Sequence, residues 1–273
     1  VQILILGAGW TSHFLVPLLE KEQVSYAATS TTGRDGTLKF IFDPEDGFDQ
    51  YAGLPPANTV LITFPLKGKG QSARLHSQYL ATHHDIRCSW IQLGSSGIFT
   101  IPGQDVWVTR HSRYDTTDAR AIAEDELREL GGTVLNLAGL WGGERNPRHW
   151  IDRVAATKEQ LKSKNSLHMV HGLDVARAIL GVHRYKKRAF GQRYILTDLV
   201  VYDWWLVILG FAGELEAEEG SDSRIDKQIR WVGELMQETE VNALPRSKEQ
   251  LGRCYNTLEF WTSFDVMPIR ARI

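Results

Sequence analysis

Two cysteines in 273 residues, Cys88 and Cys254, are too few for a disulfide framework and fit a reducing compartment. Charge of one sign is missing as well. Thirty-one basic side chains against 33 acidic ones leave a formal charge of -2, with no electrostatic footprint for nucleic acid or an anionic membrane, so neither partner is expected. Long apolar runs are also absent. The stretch from Trp204 to Phe211 falls far short of the ~20 residues of a membrane span and reads as a buried helix or strand. With no basic leader or cleavable apolar segment ahead of the first strand pattern, a cytoplasmic protein is the expectation. No internal repeat or low-complexity linker occurs. What is present is 42% hydrophobic content, enough for a substantial core.

Short, mostly apolar β-branched runs alternate with helical periodicity through the first half, the pattern of a parallel sheet with helices on both faces. Strands are predicted at Gln2–Leu6, Ser25–Thr29, Leu38–Phe42, Thr59–Phe64, Trp90–Leu93 and Thr133–Leu137, with a later one at Arg193–Leu196. Helices are predicted over 11–22, 71–82 and 118–130, the last stopped by Gly131-Gly132, and Pro17 predicts an irregularity in the first. Beyond Gly142-Gly143-Glu144-Arg145-Asn146-Pro147 the alternation weakens. A helix is expected at Asp174–Val182 and an amphipathic one carries Ile225, Ile229, Val232 and Met236, while Ser247 to Gln250 has capping-box spacing. The fold class is therefore α/β, a doubly wound parallel Rossmann sheet with a smaller C-terminal α+β substrate region. The expected division is residues 1–145 with returning segments at about 168–200, against 146–167 and 201–273. The acidic stretch of Glu214, Glu216, Glu218 and Glu219 reads as a solvated face. So does the basic run Arg184 to Arg188, whose alternative is a contact with a substrate phosphate.

The chemistry concentrates at Gly7-Ala8-Gly9-Trp10-Thr11-Ser12, between the first strand and the first helix. Gly7 permits a tight turn and Gly9 lets backbone amides approach a pyrophosphate at the positive end of the helix, with Trp10 and Thr11 beside it. The third position of the fingerprint is a small Ser12 instead of glycine. At the end of the second strand, where an NAD-selective site carries an acid, the chain reads Ala28-Thr29-Ser30-Thr31-Thr32-Gly33-Arg34. Thr29, Ser30 and Thr31 supply hydroxyls and Arg34 a guanidinium for a 2′-phosphate, which makes NADP(H) the expected cofactor. Phe64, closing the fourth strand, is placed with the cofactor-binding residues. Asp43 has two readings, a partner for the adenine amino group or an Asp43-Pro44 turn. No metal site is expected.

Three further segments, in this order and spacing, resemble the extended and atypical short-chain dehydrogenase/reductase superfamily over roughly the first two hundred residues. They are Leu93-Gly94-Ser95-Ser96-Gly97-Ile98-Phe99, Leu135-Asn136-Leu137-Ala138-Gly139-Leu140-Trp141-Gly142-Gly143 and Met169-Val170-His171-Gly172-Leu173-Asp174-Val175-Ala176. The resemblance implies an active-site serine at Ser95, dimerisation through the active-site helix and its neighbour, and a small-molecule substrate beside the cofactor. It also implies a Tyr and a Lys four residues apart. Anchored on Glu124, those positions fall on Thr116 and Arg120, so the dyad is missing. Arg120 retains the charge to hold ribose hydroxyls but cannot shuttle a proton. Tyr114, His171 and His111 are the candidate substitutes, and each also reads as a packed or hydrogen-bonded structural residue. Trp10 is a candidate wall of the cofactor site and Trp141 of the substrate cleft. An NADP(H)-dependent oxidoreductase acting on a small carbonyl or alcohol leads. The competing expectation is an NADP(H)-sensing regulator or interaction protein, with a nucleotide-sugar epimerase or dehydratase third.

Overall fold

Alternate residues of the apolar strands face opposite ways, so a strand without polar positions must be covered on both sides. Ile3–Leu6 (β1) shows this directly, with all four side chains buried. Ile3 and Ile5 join one core with Leu15 and Leu19 of the first helix, while Leu4 and Leu6 join another with Leu75 and Tyr79 of a helix on the opposite face. The computed structural model describes residues 1–45, 49–84, 86–216, 223–271 and 273, with the side chains of 152, 212–216 and 223–225 outside that description.

Seven parallel strands form the sheet: β1, Tyr26–Ser30 (β2), Leu38–Lys39 (β3), Thr59–Ile62 (β4), Ser89–Ser95 (β5), Thr133–Leu137 (β6) and Arg193–Leu196 (β7). Their spatial order is β7-β6-β5-β4-β1-β2-β3. The chain runs outward from β1 to β3, then returns to the other side of β1 with β4. Loops leaving the carboxyl ends of β1 and β4 therefore diverge, and the crevice between them is where such sheets bind ligands. Helices Ser12–Lys21 (α1) and Gly172–Arg184 (α4) cover one face; Gln71–Thr82 (α2) and Ala119–Glu129 (α3) cover the other.

The sheet and helices agree with the expected α/β class. Leu38–Phe42 is a correction, because only Leu38 and Lys39 pair with β2. Phe40 turns into the core beside Tyr51 and Phe42 stacks on Phe64, so the chain leaves the sheet edge to bury two rings. Pro17 lies within α1, which runs through it; Pro17 is exposed, on the side where water can satisfy a freed carbonyl. Trp204–Glu216 (α5) is a helix, as one of the two readings had it, and it packs through Trp205, Ile208 and Phe211 on Val232 and Leu235 of Ser223–Glu238 (α6). This separate core also takes Ile151, Ala155 and Leu161. Leu258–Ser263 instead inserts Phe260 and Trp261 into the main core, where Trp261 Nε1 donates to the Thr197 carbonyl at 3.0 Å. The capping box at Ser247 and Gln250 is formed. The basic run is tied to the body, Arg184 to Glu22 at 2.6 Å and Lys186 to the Asn58 carbonyl at 2.9 Å. The acidic positions Glu218 and Glu219, and the side chains of Glu214 and Glu216, lie outside the described residues. No helix among the described residues is long and apolar enough to cross a membrane.

Candidate functional site

The turn after β1 is held from beneath. Gly7 has φ +95°, its amide donates to Thr29 Oγ1 at 3.0 Å, and its carbonyl accepts from Thr63 Oγ1 at 2.6 Å. A Cβ at Gly7 would stand 2.7 Å from Thr63 Oγ1 and 3.2 Å from Phe64 Cδ1. Gly7→Ala is therefore expected to cost about 2–3 kcal/mol of stability, from left-handed strain plus the clash. A urea titration checks this, and an unchanged midpoint contradicts it. Gly9 is the opposite case: a Cβ there meets nothing within 4 Å.

Two hollows flank the turn. Gly7, Ser30, Thr31, Phe42, Phe64 and Lys67 line one of about 530 Å³, which has the flat aromatic walls an adenine ring needs. Phe42 and Phe64 stand with ring centroids 6.0 Å apart and planes 21° apart. The other, about 250 Å³, is lined by Gly9, Trp10, Thr11, Thr63, Ser95, Arg120 and Arg145 together with Gly94 and a few apolar residues. A dinucleotide needs such a layout, one base site on each side of a pyrophosphate turn. Ser12 adds a buried hydroxyl with no hydrogen-bond partner among the described residues, at the amide end of α1. The residues present thus fit a nicotinamide dinucleotide.

Not every expected cofactor residue has a side chain free to meet a ligand in these hollows. Thr29 is fully buried and spends its hydroxyl on Gly7, so it supports the turn. Ser30 Oγ accepts from the amides of Gly33 and Arg34 at 2.9 and 3.2 Å and bonds Thr37 Oγ1 at 2.7 Å; it shapes the following loop. Arg34 lines a third hollow of about 860 Å³ with Ala8, Ser12, His13 and Thr37, on the α1 side of β2. Its side chain is 68% exposed, with Asp35 3.8 Å away, so it is available to an anion. Asp43 Oδ1 accepts from the Glu45 amide at 2.9 Å, which is the turn reading.

Of the proposed catalytic residues only Ser95 lines the 250 Å³ cleft. Its Oγ accepts from the Gly97 amide at 3.1 Å, and a buried network holds its backbone. Glu124 Oε1 accepts from the Ser95 amide at 3.3 Å, while Asn136 Nδ2 donates to the Ser95 carbonyl at 3.0 Å and to Glu124 Oε2 at 2.8 Å. Arg193 Nη2 reaches Glu124 at 3.2 Å and Asp125 at 3.2 Å. Burial raises the Glu124 pKa, against the pull of Asn136 and Arg193. Gly94 makes room for this network, since a Cβ there would sit 2.4 Å from Glu124 Oε1.

Tyr114 and His171 lie elsewhere. Tyr114 donates to the Asp125 carboxylate at 2.8 Å, its ring under the Arg193 guanidinium at 4.3 Å, and it is not among the residues lining the cleft. His171 Nδ1 accepts from the Leu173 amide at 3.0 Å as the cap of α4, and its ring packs between Phe14 and Trp141. Burial lowers its pKa first, with Asp174 opposing and Arg270 adding to the fall. His111 is 70% exposed with Glu259 at 3.8 Å. Arg145 and Lys67 escaped the sequence reading. Arg145 belongs to a glycine turn read only as a boundary, and Lys67 has no local signal.

No protein-family model matches the chain, and the comparison with curated proteins finds no match. Solved structures match over almost the whole length. A putative NAD-dependent epimerase/dehydratase from Methylobacillus flagellatus superposes with a TM-score of 0.61 at 14% identity, covering 99% of this chain and 94% of that one. A human epimerase family protein solved with NADPH gives 0.61 at 10% identity over 100% and 96% of the two chains. A short-chain dehydrogenase/reductase superfamily protein from Agrobacterium tumefaciens with bound NAD gives 0.58 at 13% identity, over 88% and 98%. The fold that the sequence motifs implied is the fold these proteins share.

Proposed function

We propose, from that shared fold and the turn between two hollows, that this chain is an NADP(H)-binding protein of short-chain dehydrogenase/reductase type. The observation that carries the reading is the turn itself, with Gly7 lining the aromatic hollow and Gly9 the polar cleft. The 2′-phosphate is assigned to Arg34, with Thr31 at the rim of the adenine hollow and Lys67 as a second cation. Arg34→Ala is expected to weaken NADPH by about tenfold, the 1.4 kcal/mol of one charge-assisted contact, and to leave NADH unchanged. Equal loss for both cofactors in a fluorescence titration would remove the assignment.

The reaction proposed is reduction of a small carbonyl compound or its reverse. Ser95 and Arg120 hold the oxygen in the cleft, with water as the proton source. NADP(H) supplies the hydride chemistry when bound. One observation favours a second reading, a cofactor-responsive binding protein. Among the described residues lining the cleft there is no His, Tyr, Asp, Glu, Lys or Cys, and proton transfer in hydride chemistry ordinarily uses such a group. Turnover separates the two. NADPH consumption with any member of a carbonyl panel supports the reductase. Tight binding without turnover, together with a partner captured only when NADP(H) is present, supports the second.

A further inference from the structure

The 250 Å³ cleft contains two arginines and no acid. Arg120 enters from the first turn of α3, whose cap Asp118 accepts from the Arg120 and Ala121 amides at 2.7 and 3.2 Å. Arg145 ends a tight turn closed by two backbone hydrogen bonds, Gly142 N to Arg145 O at 2.9 Å and Arg145 N to Gly142 O at 3.2 Å. Gly142 and Gly143 have φ +108° and +58° there. This turn is docked on the cofactor turn: Trp10 Nε1 donates to the Gly142 carbonyl at 3.2 Å, and the Arg145 guanidinium sits 4.4 Å from the Trp10 ring centroid.

Neither guanidinium has an ion-pair partner among the described residues, whereas Arg110, Arg128, Arg177, Arg184, Arg193 and Arg246 each have one. The nearby carboxylate, Glu124, feels the charge of Arg120 but spends its hydrogen bonds on Ser95, Asn136 and Arg193. Besides the Trp10 indole, spent on Gly142, the remaining polar side chains of the cleft are the hydroxyls of Thr11, Thr63 and Ser95. Two like charges in one small cavity repel, and an anion between them turns that repulsion into attraction. The planar guanidinium fork matches the oxygens of a carboxylate or phosphate.

We infer that the cleft binds an oxyanion: the ligand that sits beside the cofactor carries a carboxylate or phosphate group that docks on Arg145, with Arg120 and Ser95 next to it. The position of this ligand next to a dinucleotide rests on the proposed cofactor. The dinucleotide meets this cleft at Gly9, Trp10 and Thr11 and at the amide end of α1, and Arg145, on the separate turn from Gly142, is given to the second ligand. Because Arg145 rests on Trp10, the arm that meets this ligand is anchored to the turn that holds the cofactor.

The test is calorimetric titration of oxamate and of inorganic phosphate into the full chain, with and without saturating NADPH, for wild type, Arg145→Gln and Arg145→Lys. At least one probe is expected to bind wild type. Arg145→Gln should weaken it by about tenfold or more, the loss of one charged contact, with Arg145→Lys in between and NADPH affinity within about threefold of wild type. Which probe binds distinguishes carboxylate from phosphate. Binding of neither probe, binding indifferent to Arg145→Gln, or an NADPH loss as large as the probe's overturns the inference, the last because the arginine then clamps the cofactor. If NADPH fails to bind wild type, the cofactor reading falls, and the oxyanion site is decided on the unloaded protein by the same dependence on Arg145. Arg145 is exposed, so both variants are expected to fold, which a thermal melt verifies.

Discussion

Gly9→Leu is expected to lower NADPH affinity by about a hundredfold or more, some 2.8 kcal/mol, while leaving the melting temperature within about 2 °C of wild type. The asymmetry follows from the two glycines of one turn. Gly7 is hemmed in by Thr63 and Phe64 in a left-handed conformation. Gly9 is outside the left-handed region, has no neighbour within 4 Å of a built Cβ, and lines the polar cleft. The Cβ of a leucine there meets no protein atom within 4 Å, and the side chain beyond it enters the path of a pyrophosphate approaching the α1 amides. Binding that survives the substitution would mean the dinucleotide lies elsewhere. A large fall in melting temperature would mean that Gly9, like Gly7, is structural.

The second large effect is on stability. Glu124→Ala is expected to destabilise the fold by about 3 kcal/mol and to lower the melting temperature by roughly 6–10 °C. Arg193 is 2% exposed and meets Glu124 and Asp125, so removal of Glu124 strips one of its two anionic partners inside the core. The Ser95 amide and Asn136 Nδ2 lose an acceptor in the same step. Burial already disfavours the charged form of Glu124, and a buried ion pair is often matched in stability by apolar residues of similar volume. Hence the double variant Glu124→Leu/Arg193→Met, which removes both charges, should recover at least about half of the loss. A double variant worse than the sum of its singles would contradict a compensated pair.

What was legible in the sequence was what a short window determines. β1, β4, β6 and β7 are short runs with all side chains buried, and α2 was bounded correctly at Gln71–Thr82 because its apolar spacing is local. The Ser247 capping box needs only four residues. The glycine turn was legible for the same reason, since a strand, two glycines and a helix sit within twenty-one residues. β3 failed because pairing and ring burial compete at Phe40 and Phe42, and the partners that decide it, Tyr51 and Phe64, lie on other elements. Tyr114 and His171 have the right chemistry for proton transfer, but Asp125 and the Leu173 amide claim them, and neither claim is written near the residue as a pattern. Arg145 was missed for the reverse reason. Its place in the cleft is set by Trp10, 135 positions earlier, and is shared with Arg120.

The central claim is that the turn from Gly7 to Ser12 holds NADP(H). Isothermal titration of NADPH and NADH into the unmodified chain tests it most directly. The account predicts one saturable site for NADPH, with NADH weaker by about tenfold or more for want of the 2′-phosphate contact. Saturable binding of neither dinucleotide, or NADH binding more tightly than NADPH, would contradict it.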